Sequence, residues 1–231
     1  MIKKIVLATG NKSKVKEITA ALSDIPEFNG ITVVSMKDEG IDIDIEETGS
    51  TYVENAVIKA KKICEMTGLP AMADDSGIEI DYLHGAPGIY SARFLGEDTP
   101  YSEKVQYILN EMKNTHNRKC AYITAIALAF PDGTIYTTIG TLHGLIAEKE
   151  KGDNGFSYDK VFYLPEYKKT MAELSFAEQV NCNQRTKAIK KMAKMLKEKQ
   201  KGKHYGKTFA GSDFKRRIKN SEIRRLCIYY R

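Results

Sequence analysis

Pro70-Ala-Met-Ala-Asp-Asp-Ser-Gly77 is the stretch that decides how this chain reads. A short apolar run ends in two acids, a hydroxyl and a glycine, the pattern of a buried strand that delivers two carboxylates to the edge of a pocket. Adjacent like charges raise each other's pKa, so Asp74 and Asp75 need a cation or a proton between them. Mg²⁺ suits such a pair, because it takes few carboxylates and fills its shell with water and substrate phosphates. Alone, the string also fits a turn with two solvated acids, so its neighbours decide the matter.

Downstream, Gly77-Ile-Glu-Ile-Asp-Tyr-Leu83 alternates with period two, and Gly85-Ala-Pro-Gly-Ile-Tyr-Ser-Ala-Arg93 is a Gly/Pro loop ending in an arginine. Upstream, Thr51-Tyr-Val-Glu54 matches a capping box. It opens a helix with an apolar stripe at Val53, Ala56, Val57, Ala60, Ile63 and Cys64, stopped by Gly68 and Pro70. Asn55, Lys59 and Lys62 share another face, and Lys62 reads as solvated.

Further out, Lys4 to Ala8 is a strand, Thr9-Gly-Asn-Lys-Ser13 a polar loop and Lys14 to Leu22 a helix. Strand, loop and helix N-terminus form an anion site in which Lys14 adds a cation. Ile31 to Met36 is a second strand, followed by an acidic loop through Glu46-Glu47. Thr99 and Pro100 read as the N-cap and first residue of a helix carrying Val105, Ile108, Leu109 and Met112. Cys120–Phe130 and Thr134–Ile146 pair as a hairpin across Pro131-Asp-Gly133. Gly155-Phe-Ser-Tyr-Asp159 is a loop before another strand, and Arg185 to Lys199 a closing amphipathic helix. Early alternation of strands and helices with a later hairpin gives an α/β fold with a mixed sheet.

Composition narrows the class. The chain has 231 residues, 42% of them hydrophobic and 29% charged, as in a soluble globular protein. No stretch is long enough to span a membrane, and the N-terminal apolar run is too short for a signal peptide. Cys64, Cys120, Cys182 and Cys227 lack metal-ligand spacing and read as free thiols of a reducing cytosol, so a cytoplasmic protein is expected. Of the formal charge of +6, residues 201–231 hold ten basic and two acidic side chains, leaving 26 basic against 28 acidic in the body. A nearly neutral body argues against a nucleic-acid-binding core and isolates the tail. Residues 1–199 read as one domain and 200–231 as a basic, flexible extension. RNA or an acidic partner is the sharper reading of that tail, and an adventitious extension the preferred one.

A phosphate-binding loop, an acidic segment beside a capped helix and a carboxylate pair together imply a Mg²⁺-dependent enzyme acting on a polyphosphate. Five blocks carry a resemblance: Leu7-Ala-Thr-Gly-Asn-Lys-Ser-Lys14, Glu46-Glu-Thr-Gly-Ser-Thr-Tyr-Val-Glu-Asn-Ala56, Ala73-Asp-Asp-Ser-Gly77, Gly85 to Arg93, and Gly155 to Asp159. In this order and spacing the chain closely resembles the inosine triphosphate pyrophosphatase family over about residues 1–199.

The resemblance implies hydrolysis between the α- and β-phosphates of ITP, dITP and XTP, releasing a nucleoside monophosphate and pyrophosphate. It implies an elongated two-lobed α/β fold with the active site in the cleft between the lobes, and a homodimer. By the same resemblance, Thr9, Gly10, Asn11, Lys12, Ser13 and Lys14 form the phosphate loop. Glu46 is the metal-binding glutamate, Asp75 the general base and second metal ligand, and Ser76 a substrate contact. Lys59 faces the phosphates, and Phe156, Ser157, Tyr158 and Asp159 hold the nucleoside, with Phe156 or Tyr158 stacking the base.

The chain departs from the family in two places. Lys160 stands where the family usually has proline. In the base-reading block Gln179 and Gln184 replace a lysine and a histidine, while Arg185 is kept. Weaker base discrimination with intact phosphate chemistry is therefore expected. The rival readings are a catalytically reduced nucleotide-binding protein and a nucleic-acid-associated protein acting through its tail.

Overall fold

Strand β3 (Ala71–Ile80) runs unbroken through Asp74-Asp75, where the sequence suggests that a strand ends. Both carboxylates lie inside the strand and are 1% and 5% exposed. Aspartate is a poor strand former. Here ten residue pairs of antiparallel register with β4 (Lys119–Ala129), from Ala71↔Ala129 to Ile80↔Cys120, override that preference. The structure, a computed structural model, describes residues 2–200; the basic extension at 201–231 lies outside the described residues.

The other elements are β1 (Lys4–Leu7), α1 (Lys12–Ser23), β2 (Thr32–Ser35), α2 (Tyr52–Thr67), α3 (Tyr101–Glu111), β5 (Ile135–Ile146), β6 (Phe162–Leu164), β7 (Lys169–Thr170), α4 (Phe176–Cys182) and α5 (Gln184–Gln200). The seven strands form one mixed sheet in the order β2-β1-β3-β4-β5-β6-β7. β1 is parallel to β2 and β3; the remaining pairs are antiparallel. The expected mixed α/β sheet and the β4–β5 hairpin are therefore present.

Period-two alternation sends neighbouring side chains of the sheet to two different cores. Ile5, Leu7, Met72, Ile126 and Leu128 face α1 and α5, where Ile18, Leu22, Ile189 and Met192 cover them. Val6, Ala71, Ala73, Ala125 and Ala127 face α2 and meet Ala56, Ala60 and Ile63. The alanines on both sides let α2 lie close to the sheet. The far halves of β3, β4 and β5 carry a third core, in which Ile78, Ile80 and Tyr122 pack with Val105 and Ile108 of α3, with Met112 just past its end and with Phe162. Two lobes share the long strands.

Two helix starts differ from the sequence reading. α1 begins at Lys12, because the Asn11 side chain caps it by accepting from the Ser13 and Lys14 amides at 2.9 and 3.2 Å. α3 begins at Tyr101 after Pro100 and has no side-chain cap; the Thr99 hydroxyl instead donates to the Leu95 carbonyl at 2.7 Å. Among the described residues no helix is long and apolar enough to cross a membrane.

Candidate active site

The site forms where β1 stops short of β3. β1 pairs with β3 only at Val6↔Ala71 and Leu7↔Met72, so one edge of β3 opens just before the acid pair. Strand alternation then separates the neighbouring acids. Asp74 and Ser76 face α1 and α5, whereas Asp75 faces α2. A ligand crossing this open edge meets both faces of the sheet, with the Thr9–Lys14 loop at the crossing.

On the first face, Asp74 Oδ2 accepts from the Ser76 hydroxyl at 2.9 Å and is closed in by two cationic side chains. Lys14 Nζ lies 3.1 Å from Oδ2, and Arg185 donates Nη2 at 3.1 Å and Nε at 3.3 Å to the same oxygen. Arg185 also donates Nη1 to Glu17 and Nη2 to Ser76 Oγ at 3.3 Å. Burial alone would push Asp74 up, but Lys14, Arg185 and Lys59 hold its carboxyl well below the usual range. Glu17 is raised by burial, which outweighs its pairing with Arg185. Four of the five guanidinium N–H groups of Arg185 are thus engaged within the protein. Arg185 lines the cleft as a held group.

On the second face, Asp75 accepts from Asn55 Nδ2 at 3.2 Å, and Lys59 Nζ lies 3.5 Å from its Oδ1. Lys59 also bonds Glu47, and Arg93 Nη1 lies 3.6 Å from Glu47 Oε2. Asn55 Oδ1 accepts from the Gly49 amide at 2.8 Å, tying the acidic segment to the helix that carries Lys59. Burial raises the Asp75 pKa despite Lys59, with the Glu47 charge adding to the rise. Burial pulls Lys59 down, but Asp75, Asp74 and Glu47 outweigh it and hold the ammonium charged.

Glu47, and not Glu46, is the acid that reaches this cluster. The Ile41, Ile43 and Ile45 side chains turn inward, which sends Glu47 inward and leaves Glu46 exposed. This alternation is visible in the sequence and could have chosen between the two acids. Asn55 and Glu17 also belong to the site, though sequence reasoning gave neither a role in it. Helical spacing from Lys59 (four back) and Lys14 (three on) could have found both.

Asp75 and Glu47 offer an all-oxygen donor set around the Lys59 ammonium. No group of three or more His, Cys, Asp or Glu among the described residues could hold a metal ion. Two carboxylates with the remaining positions left to water and phosphate oxygens fit Mg²⁺ better than a metal that needs a full protein cage.

The phosphate loop is less open than its sequence suggests. Asn11 occupies the Ser13 and Lys14 amides, and the Thr9 hydroxyl accepts from the Asn11 amide at 3.2 Å. Gly10, Asn11, Lys12 and Ser13 are exposed, so what the loop presents is its glycine backbone, the Asn11 amide, the Ser13 hydroxyl and the Lys12 ammonium.

Beside it lies a cleft of about 180 Å³ bounded by Lys14, Ser76, Phe156, Ser157, Gln184 and Arg185. Asp159 shapes its far wall by accepting from the Phe156 amide at 2.8 Å and the Tyr122 hydroxyl at 3.0 Å. Gly155 sits at φ +80°, and a Cβ there would fall 2.2 Å from Asp159 Oδ2, so only glycine fits. Ser157 is held at φ 61° at the tip of this loop. Burial pushes Asp159 up to about 7 against those two hydrogen bonds.

The aromatics and glutamines divide. Tyr158 is fully buried, donates to the Ser91 carbonyl at 2.8 Å and packs edge-on against Tyr101. Phe156 is half-buried and faces the cleft, leaving it as the ring available to a base. Gln179 donates Nε2 to the Met171 carbonyl at 2.7 Å and lies outside the cleft lining. Gln184 lines the cleft, and its buried Oε1 has no hydrogen-bond partner.

The chain is similar to known proteins over most of its length. The Ham1 family model matches residues 5–195. The dITP/XTP pyrophosphatase of Desulforamulus reducens is 43% identical over 196 residues, covering 84% of this chain and 95% of that protein. That of Clostridium perfringens is 42% identical over 204 residues, covering 85% and 98%. The solved Ham1 protein of Staphylococcus aureus superposes with a TM-score of 0.75 at 35% identity, covering 85% of this chain and all of that one. With a family match over residues 5–195 and relatives 43% and 42% identical along most of its length, this chain belongs to the Ham1 family.

Proposed function

We propose that this protein is a hydrolase that cleaves dITP, XTP and ITP between the α- and β-phosphates, giving the monophosphate and pyrophosphate. One observation carries the reading: Asp75, Lys59 and Glu47 meet at an open strand edge directly behind a loop suited to phosphates. The dITP/XTP pyrophosphatase relatives support the substrate class.

In this reading the base enters the cleft beside Phe156 and Gln184, and the triphosphate crosses the open edge of β3 toward Asp75. Ser76 lies at the crossing, and its hydroxyl, given to Asp74 in the free protein, turns to the α-phosphate. Asp75 takes the proton of the attacking water, a role its raised proton affinity favours. Lys59 and Arg93 are paired with carboxylates in the free protein and turn to the leaving pyrophosphate. Asp75 and Glu47 would hold Mg²⁺, which supplies charge neutralisation and polarisation of the phosphoryl oxygens.

Base choice rests on Gln184. Its unpaired amide oxygen accepts from a purine N1–H or, equally, from a 6-amino group, so this contact discriminates little and the margin of ITP and XTP over ATP is reduced. A cytoplasmic homodimer completes the proposal, in line with the family resemblance. Pyrophosphate release from dITP, XTP, ITP, GTP and ATP, with and without EDTA, tests the reading. Release from XTP and dITP that EDTA stops supports it; orthophosphate as the sole product refutes it.

A further inference from the structure

Lys37 belongs to neither face of β3, yet its side chain lies over the phosphate loop. A Cβ built on Gly10 would sit 3.1 Å from Lys37 Cε and 4.0 Å from its Nζ. The lysine reaches that position from the turn after β2, the parallel neighbour of β1 on the side away from β3. The two loops that follow β1 and β2 therefore meet at the carboxyl ends of parallel strands, where open α/β sheets bind their ligands.

The turn is built to hold Lys37 there. Asp38 Oδ2 accepts from the Ser35 amide at 2.8 Å and the Ser35 hydroxyl at 2.7 Å. The Gly40 amide donates to the Lys37 carbonyl at 3.0 Å, the Ile41 amide donates to the Met36 carbonyl at 2.9 Å, and Gly40 takes φ +74° to close the turn. Met36 is buried and anchors the turn from below. The ammonium itself faces solvent and pairs with the exposed Asp42 at 3.2 Å. Such an exposed pair is worth little and exchanges readily for a more highly charged partner.

Lys12 projects from the phosphate loop itself, whereas the cations nearer the strand edge are closely paired with carboxylates and reach phosphate only by giving those partners up. Lys14 is held by Asp74, Lys59 by Asp75 and Glu47, and Arg93 by Glu47. Lys37 instead has a weak, exposed partner and comes from the β2 side of the phosphate loop, across β1 from β3. We infer that Lys37 is a substrate-binding residue that grips the terminal phosphates of the triphosphate, and then the pyrophosphate product, by exchanging Asp42 for phosphate oxygens.

This inference rests on the pyrophosphatase reading, and its test separates the two. Inhibition by inorganic pyrophosphate and by the nucleoside monophosphate is measured for wild type, Lys37→Met, Lys37→Arg and Asp42→Asn. Losing one exposed charge-assisted contact predicts a pyrophosphate Ki about three- to tenfold higher in Lys37→Met, with the XTP KM rising in parallel. The monophosphate Ki stays near wild type, Lys37→Arg restores most of the loss, and Asp42→Asn lowers the pyrophosphate Ki. An unchanged pyrophosphate Ki, or equal rises in both Ki values, overturns the assignment. Should wild type release no pyrophosphate from any triphosphate, the underlying reading fails. Calorimetric titration of wild type and Lys37→Met with pyrophosphate then still decides whether Lys37 binds it.

Discussion

Arg185 and Asp74, 111 residues apart in sequence, make a two-pronged contact in which Nε and Nη2 both donate to one carboxylate oxygen. The pair joins the start of α5 to the middle of β3 and, through Lys14, to the phosphate loop. It is fully buried, so its charges are worth more to each other than surface charges would be, and neither tolerates loss of the other.

Asp74→Asn therefore strands Arg185 and Lys14 with insufficient countercharge. Removing one partner of a buried pair costs about 3–5 kcal/mol. Chemical denaturation of wild type and Asp74→Asn should show a loss of this order. A change below about 1 kcal/mol would mean that water or Glu17 compensates.

Asp159 should give stability a pH dependence. Its folded pKa of about 7 lies above the unfolded value near 4, so the folded state binds the extra proton. Stability is fully present below about pH 4 for this group and is lost as pH rises through about 7. Full expression of the shift is on the order of 4 kcal/mol, an upper bound. In Asp159→Asn, whose amide can still accept from Phe156 and meet Tyr122, the contribution should vanish. Denaturation midpoints across that range would detect it as a flatter pH profile in the variant.

Gln184→His should raise the ratio of kcat/KM for ITP to that for ATP by about tenfold, since a histidine fixed by its second nitrogen is less ambidextrous than an amide. Adding Gln179→Lys should contribute little to base choice, because the buried Gln179 amide is spent on the Met171 carbonyl and the residue does not itself line the cleft. An effect confined to the Gln179 change would reverse this assignment.

Gly140→Ala should disorganise the same end of the cleft from a distance. A Cβ at Gly140 would fall 2.0 Å from the Gln184 carbonyl oxygen, so β5 and the first turn of α5 must part. The expected outcome is a lowered melting temperature and a several-fold rise in the XTP KM, with Ala188→Gly as a comparison that removes bulk instead.

Much of this was legible in the sequence because it is local. The early strand–loop–helix unit, the capped helix before Pro70, the hairpin across Pro131-Asp-Gly133 and the inward stripe Ala188, Ile189, Met192 and Ala193 all follow from short-range periodicity and turn chemistry. Other features depended on long-range pairing. Asp74-Asp75 looked like the end of a strand because nothing nearby reveals that Lys14, Arg185, Lys59 and Asn55 converge on it. Lys14 looked like a free phosphate ligand for the same reason. The choice of Glu47 over Glu46 was written in the Ile41-Ile43-Ile45 alternation, while that of Gln184 over Gln179 depended on where α4 ends and α5 begins.

The central claim is that Asp75 works as the base in cleavage between the α- and β-phosphates. Single-turnover hydrolysis of XTP in H₂¹⁸O, comparing wild type with Asp75→Asn, tests it most directly. The account predicts that the label enters the monophosphate and that the rate falls by about two or more orders of magnitude in the variant. Label in the pyrophosphate or in orthophosphate, or a variant that turns over XTP near the wild-type rate, would contradict it.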